Sequence, residues 1–200
     1  VLLFHPAINK IKKMVSAGDI GNLQYIYSNR LNLGKVRTEE NVFWSLAPHD
    51  IAIFQHIIGS SPKSILASGS ALIQKHIHDS TLTHLEYEKG IKGHIFVSWL
   101  HPFKEHRLVV IGSEAMISFE DSLEGKPLKL YSKKFDLVNG VPEKIDGPIK
   151  LIPYEKKMPL DIEIQYFLDH LDGRKINKAD MYHGLEVVRI LTEATSQLLK

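Results

Sequence analysis

The chain has 200 residues, enough for one domain with a real core, and its 44% hydrophobic and 24% charged shares are those of a soluble globular protein. Its 25 basic side chains are nearly balanced by 23 acidic ones, and Lys12-Lys13, Lys133-Lys134 and Lys156-Lys157 are scattered pairs, which argues against a nucleic-acid-binding surface. Cysteine is absent, so disulfides, thiolate metal sites and a cysteine nucleophile are excluded, and no apolar run reaches the ~18 residues that a membrane-spanning helix needs.

Val1-Leu2-Leu3-Phe4 reads as the end of a buried strand, too short for a signal peptide and broken at once by His5-Pro6. A chain that opens inside an apolar run and without Met is expected to be a piece of a longer protein. Pro6 suits the first turn of a helix in which Ile8, Ile11 and Val15 recur at helical spacing, and Gly18 closes it. A strand rich in Tyr, Ile and Leu is predicted over Leu23 to Leu33. Gly34 to Trp44 is polar and irregular. A second helix is predicted from Pro48 to Ile58, with Ile51, Ile53, Phe54, Ile57 and Ile58 apolar and Gly59 ending it.

From Ser64 to about Tyr131, short apolar runs alternate with turn signals, the pattern of an antiparallel meander. Leu82 to Tyr87 turns at Lys89-Gly90 and returns over Ile91 to Trp99. His106 to Ile111 pairs with Met116 to Phe119 around Gly112-Ser113, and Leu128 to Tyr131 adds a strand. Lys133 to Pro159 reads as loop or edge. Asp161 to Leu171 is helical up to Gly173, and Asp180 caps a last helix from about Met181 to Leu199. The order predicts an α+β domain, with helices on one face of an open, mainly antiparallel sheet.

Eleven histidines invite a metal reading, and His76-x-His78 and His101 with His106 are the closest groupings. His76 and His78 would share a strand face with His84 opposite. No Asp or Glu pattern completes a zinc site, so no metal is predicted and the group reads as polar residues on one sheet face.

Several stretches resemble, in order, the second half of Gfo/Idh/MocA oxidoreductases. They are Phe4-His5-Pro6 through Gly18-Asp19-Ile20-Gly21, His49-Asp50-Ile51 with Gly59 ten residues after the histidine, Val110-Ile111-Gly112-Ser113-Glu114-Ala115, and Asp180 through Ser196. Asn41-x-x-Trp44-x-x-Ala47-Pro48-His49-Asp50 is similar to a subgroup that acts on nucleotide sugars, such as the UDP-N-acetylglucosaminuronate 3-dehydrogenases. The resemblance implies that residues 1–4 end a Rossmann domain missing from the sequence. Residues 5–200 would then be the substrate-binding and oligomerisation domain, like the C-terminal domain of glyceraldehyde-3-phosphate dehydrogenase. It further implies NAD or NADP held mainly by the missing domain, together with a lysine from a Glu-Lys-Pro motif there. Neither that motif nor G-x-G-x-x-G occurs in this chain. A cytoplasmic homo-oligomer, joined through the exposed sheet face and binding neither nucleic acid nor membrane, completes the expectation.

Oxidising a sugar carbon by hydride transfer requires removing its hydroxyl proton, and a base with a pKa near neutrality serves best. The resemblance gives that acid/base role to His49, whose imidazole titrates in the right range. Many members carry Asp four residues earlier, where this chain has Ser45, and Asp50 points about 100° away on a helix. The alternative is a structural histidine in a non-catalytic sugar-binding or oligomerisation module. Arg30, Asn32, Lys35, Arg37, Asn41, Trp44 and Asp50 are the candidate substrate contacts. Arg37 suits a carboxylate through its two-pronged fork, and Trp44 suits a sugar face. The alternatives are a solvated loop and an apolar plug at the helix entry.

Overall fold

The computed structural model describes residues 1–199. The first residues form a 3₁₀ turn, Leu2–Phe4, rather than the expected strand end. The amides of Phe4 and His5 donate to the carbonyls of Val1 and Leu2, and this local closure buries Leu3 and Phe4 without a strand partner. Helix α1 (Pro6–Ala17) follows. His5 Nδ1 accepts the Ala7 amide at 3.1 Å, Pro6 takes the first position, and Gly18 ends the helix at φ +80. Its buried stripe is Ala7, Ile8, Ile11 and Met14.

Strand β1 (Leu23–Leu31) stops two residues before the expected Leu33. The predicted irregular stretch contains a single-turn helix, α2 (Val42–Leu46), started by the Asn41 side chain, which accepts the Trp44 amide at 3.1 Å. One turn is too short for hydrophobic periodicity to reveal. Helix α3 (Pro48–Ile58) has the predicted bounds, and Gly59 closes it at φ +82.

The strands that follow are β2 (Ser64–Ser70), β3 (Ser80–Glu86), β4 (Lys92–Ser98), β5 (Glu105–Gly112), β6 (Met116–Glu120) and β7 (Leu128–Tyr131). The stretch expected as loop or edge holds a separate hairpin, β8 (Lys134–Val138) with β9 (Val141–Ile145), and an edge strand, β10 (Ile149–Leu151). Helices α4 (Pro159–Asp169) and α5 (Met181–Leu198) end the chain, and Asp180 Oδ1 caps α5 on the His183 amide at 2.8 Å.

The large sheet runs β10-β7-β6-β5-β1-β4-β3-β2. Every neighbouring pair is antiparallel except β1 with β4, a parallel join that the meander pattern did not reveal. The inner face supplies Ile26, Leu85, Ile95, Val97, Leu108, Val110 and Ile117 to one core with α1, α3 and the Ile190-Leu191-Ala194 stripe of α5. This is the α+β arrangement expected. The other face carries Tyr25, Tyr27, His84 and His94, where Tyr25 Oη and His94 Nδ1 are 2.7 Å apart and the Tyr27 and His94 rings stack at 5.0 Å.

Gly112 ends β5 against the chain that enters β1. A Cβ there would stand 2.1 Å from the Ile20 carbonyl oxygen, whereas one on Gly184 of α5 would meet nothing within 4 Å. Gly112→Ala is expected to destabilise the chain by about 1–3 kcal/mol or more through overpacking. Gly184→Ala is expected to stabilise it by about 0.5–1 kcal/mol through helix propensity. Urea unfolding of both variants reads the two signs.

Candidate active site at the start of helix α3

Ala47 closes α2 and opens α3, so one helix follows the other without a loop. On the first turn of α3, His49 and Asp50 diverge by the ordinary helical rotation. Asp50 points inward and is only 4% exposed, while His49 is exposed.

The inward side is a buried charge cluster. Asp50 accepts Arg30 Nε at 2.7 Å and Nη2 at 3.2 Å, a two-pronged pairing that joins α3 to β1. Arg30 is 8% exposed. Burial works against its charge, but the Asp50 carboxylate outweighs that and holds the guanidinium above its ordinary pKa. His106 faces Arg30 across the β1–β5 register, with Nδ1 3.4 Å from Nη1. Burial first, then the Arg30 charge, push His106 down to about 4. Nearby, Asp121 meets Lys126 Nζ at 2.7 Å and lies 3.9 Å from His5 Nε2. The space enclosed by these side chains is about 20 Å³, too small for a substrate.

The outward side is a pocket of about 220 Å³, lined by His49 and Ala52 of α3, Asp180, His183 and Val187 near the start of α5, and the Val1–Leu3 turn. Crowding on its inner side lowers the His49 pKa, the Arg30 charge lowers it further, and Asp50 partly offsets both. The imidazole is therefore neutral at pH 7, able to accept a proton. His183 is likewise lowered by burial, against a raising contribution from Asp180.

The other sequence candidates are dispersed. Arg30 and Asp50 are buried and paired with each other, so neither reaches a ligand directly. Asn41 is occupied as the cap of α2. The Trp44 indole N–H donates to Thr195 Oγ1 at 2.9 Å, tying α2 to α5 and leaving the ring half-buried. Asn32, Lys35 and Arg37 lie on the segment after β1; Lys35 and Arg37 are exposed, and Arg37 Nε is 3.9 Å from Glu40. Asp180 and His183 were not among the predicted site residues. The sequence marks Asp180 as a cap and puts Tyr182 and His183 near enough to the start of the last helix to reach the cleft, without requiring either to do so.

His76 and His78 lie between β2 and β3 rather than on a strand, so the shared strand face does not form. Among the described residues, no group of three or more His, Cys, Asp or Glu stands close enough to hold a metal ion. A dinucleotide pyrophosphate needs free amides at a helix start reached through glycines. The first turns of α1, α2 and α5 are instead capped by His5, Asn41 and Asp180, and α3 and α4, which have no side-chain cap, are entered through Ala47-Pro48 and Met158-Pro159 rather than through glycines, so these residues do not fit that role. Among the described residues, no helix is long and apolar enough to cross a membrane.

A family model described as the GFO/IDH/MocA C-terminal domain matches residues 8–118. Among solved structures, UDP-N-acetylglucosamine 3-dehydrogenase GnnA from Acidithiobacillus ferrooxidans is similar at a TM-score of 0.80 and 20% identity, over 98% of this chain and 59% of that one. Aldose-aldose oxidoreductase from Caulobacter crescentus is similar at 0.77 and 13%, over 97% and 59%. An NAD binding oxidoreductase from Klebsiella pneumoniae is similar at 0.74 and 14%, over 99% and 62%. The chain thus spans about three fifths of the length of these proteins, and the likeness at such identities is one of fold. No curated protein sequence matches it.

His106 and His56 are both held near 4, against 6.5 for a free histidine. For His56, burial leads and the Lys178 and Lys12 charges add to it. Protons therefore bind the unfolded chain more readily, so this stability is complete above pH 6.5 and is lost as the pH falls from 6.5 toward 4. Thermal unfolding across that window is expected to show a falling midpoint, and His106→Gln should flatten the fall.

Proposed function

The chain belongs to the GFO/IDH/MocA family, and we propose that it is the substrate-binding half of an NAD(P)-dependent oxidoreductase acting on a sugar or nucleotide sugar. The observation that carries this reading is His49, a solvent-reachable imidazole at the start of α3, with its pKa lowered, in a pocket beside Asp180 and His183. In this role His49 accepts the substrate hydroxyl proton as the neighbouring C–H bond breaks, and it returns a proton in the reverse direction. Hydride acceptance is the chemistry a nicotinamide bound mainly by a Rossmann domain of the full-length parent supplies. The absence of a glycine-rich entry to any helix among the described residues supports placing that site elsewhere.

Asn32, Lys35 and Arg37 are retained as candidate contacts for the polar or anionic end of a substrate. The aromatic and histidine outer face of the sheet supports assembly with a second copy. Ser45, where the sequence resemblance leads one to expect Asp, favours a second reading, a sugar-binding or assembly module without turnover.

NAD(P) turnover by the full-length parent on inositols, hexoses and UDP-sugars separates these readings. His49→Ala is expected to lower the rate by roughly 10²-fold or more. The acid limb of sugar oxidation should fall below pH 6.5, because a lowered pKa keeps the base neutral to lower pH. A parent that binds sugar while the wild type and His49→Ala are equally inert establishes the non-catalytic module.

A further inference from the structure

We propose that the buried Arg30–Asp50 pair is the positioning device for His49, fixing the first turn of α3 against the centre of the sheet and setting the field in which the imidazole works. This rests on the reading of His49 as the base. The case begins with backbone geometry. Asp50 is the residue after His49, and its carboxylate is gripped at 2.7 and 3.2 Å by an arginine on β1, the strand that joins the two halves of the sheet. Turning the His49 Cα about the helix axis would pull Asp50 off that fork, so the pair restrains the direction in which His49 projects. Arg30 also faces His106 across the strand register, and it shares a small cavity of about 20 Å³ with the apolar Ile8, Ile53 and Phe119. A two-point grip on a guanidinium fixes orientation as well as distance, which a single-point lysine contact does not.

The second strand of the case is charge. Among the side chains around His49, Arg30 lowers its pKa most after burial, and Asp50 raises it. Asp180 and His183 line the opposite wall of the same pocket. Because the arginine outweighs the carboxylate, the pair as a whole favours the neutral ring.

A merely structural pair and a positioning pair differ in one readout, the titration of His49 followed by NMR in this 200-residue chain and assigned by its loss in His49→Gln. Asp50→Asn leaves the arginine uncompensated and should lower the His49 pKa further. Arg30→Gln leaves the carboxylate and should raise it. Opposite shifts in folded variants support the proposal, and shifts of one sign or none overturn it. If a lone buried charge unfolds either single variant, Arg30→Met with Asp50→Leu removes both charges while keeping the packing. A rise above the wild-type value then supports the proposal, and an unchanged value overturns it. These titrations stand apart from turnover, so a parent that keeps its activity as His49→Ala would refute the base while leaving the coupling measured.

Discussion

A guanidinium taken out of water must find an anion, and the fold is arranged so that Arg30 finds one. Placing an arginine on the inner face of a central strand, with Ile8, Ile53, Leu108 and Phe119 around the same small cavity, would cost several kcal/mol if it stayed unpaired. The cost is offset by bringing the first turn of α3 down onto β1, where Asp50 meets both prongs. Much of the local architecture follows from that requirement. α2 and α3 join directly at Ala47, α3 lies across the inner face, and His49, on the turn that Asp50 anchors, is left facing outward. An internal electrostatic necessity thus fixes the orientation of an external side chain.

Most of the fold was legible in the sequence because its signals are local. Pro6 and Gly18, Pro48 and Gly59, and Asp180 mark helix ends by backbone chemistry that needs no tertiary context. The alternation through β3 and β4 likewise records which residues face the core. What was missed depends on distant partners or on very short elements. The Val1–Phe4 run is apolar enough for a strand, but its amides close locally into a turn. The parallel join of β1 to β4 leaves no mark on either strand, since alternation is the same in both directions.

The site was legible in part. His49 and the resemblance around it were visible, and the helix that carries it has the predicted bounds. Arg30 and Asp50 were read as polar residues available to a ligand, because sequence shows charge and not burial. Their mutual pairing needs β1 and α3 to be superposed, which the nineteen residues between them conceal. Trp44 and Asn41 were read the same way, and in the structure each has its hydrogen-bonding group committed, one to Thr195 and the other to the start of α2. His183 can be placed near a cleft from its position at the start of the last helix, but its meeting with His49 depends on tertiary packing, and Asp121 carries no local signature at all.

The strand order has a consequence for how the chain reaches this state. Tyr27 of β1 lies beside His94 on one side and Val109 on the other, so the middle of the sheet is made of residues that leave the ribosome far apart. The hairpins β2–β3 and β5–β6 bring together near neighbours, and they can form early and by themselves. β1 has no local partner and must wait as an apolar, aromatic-rich segment until β4 and β5 are both in place. During that wait its edges are open to any other extended chain, which makes β1 the segment most exposed to misassembly while the protein folds.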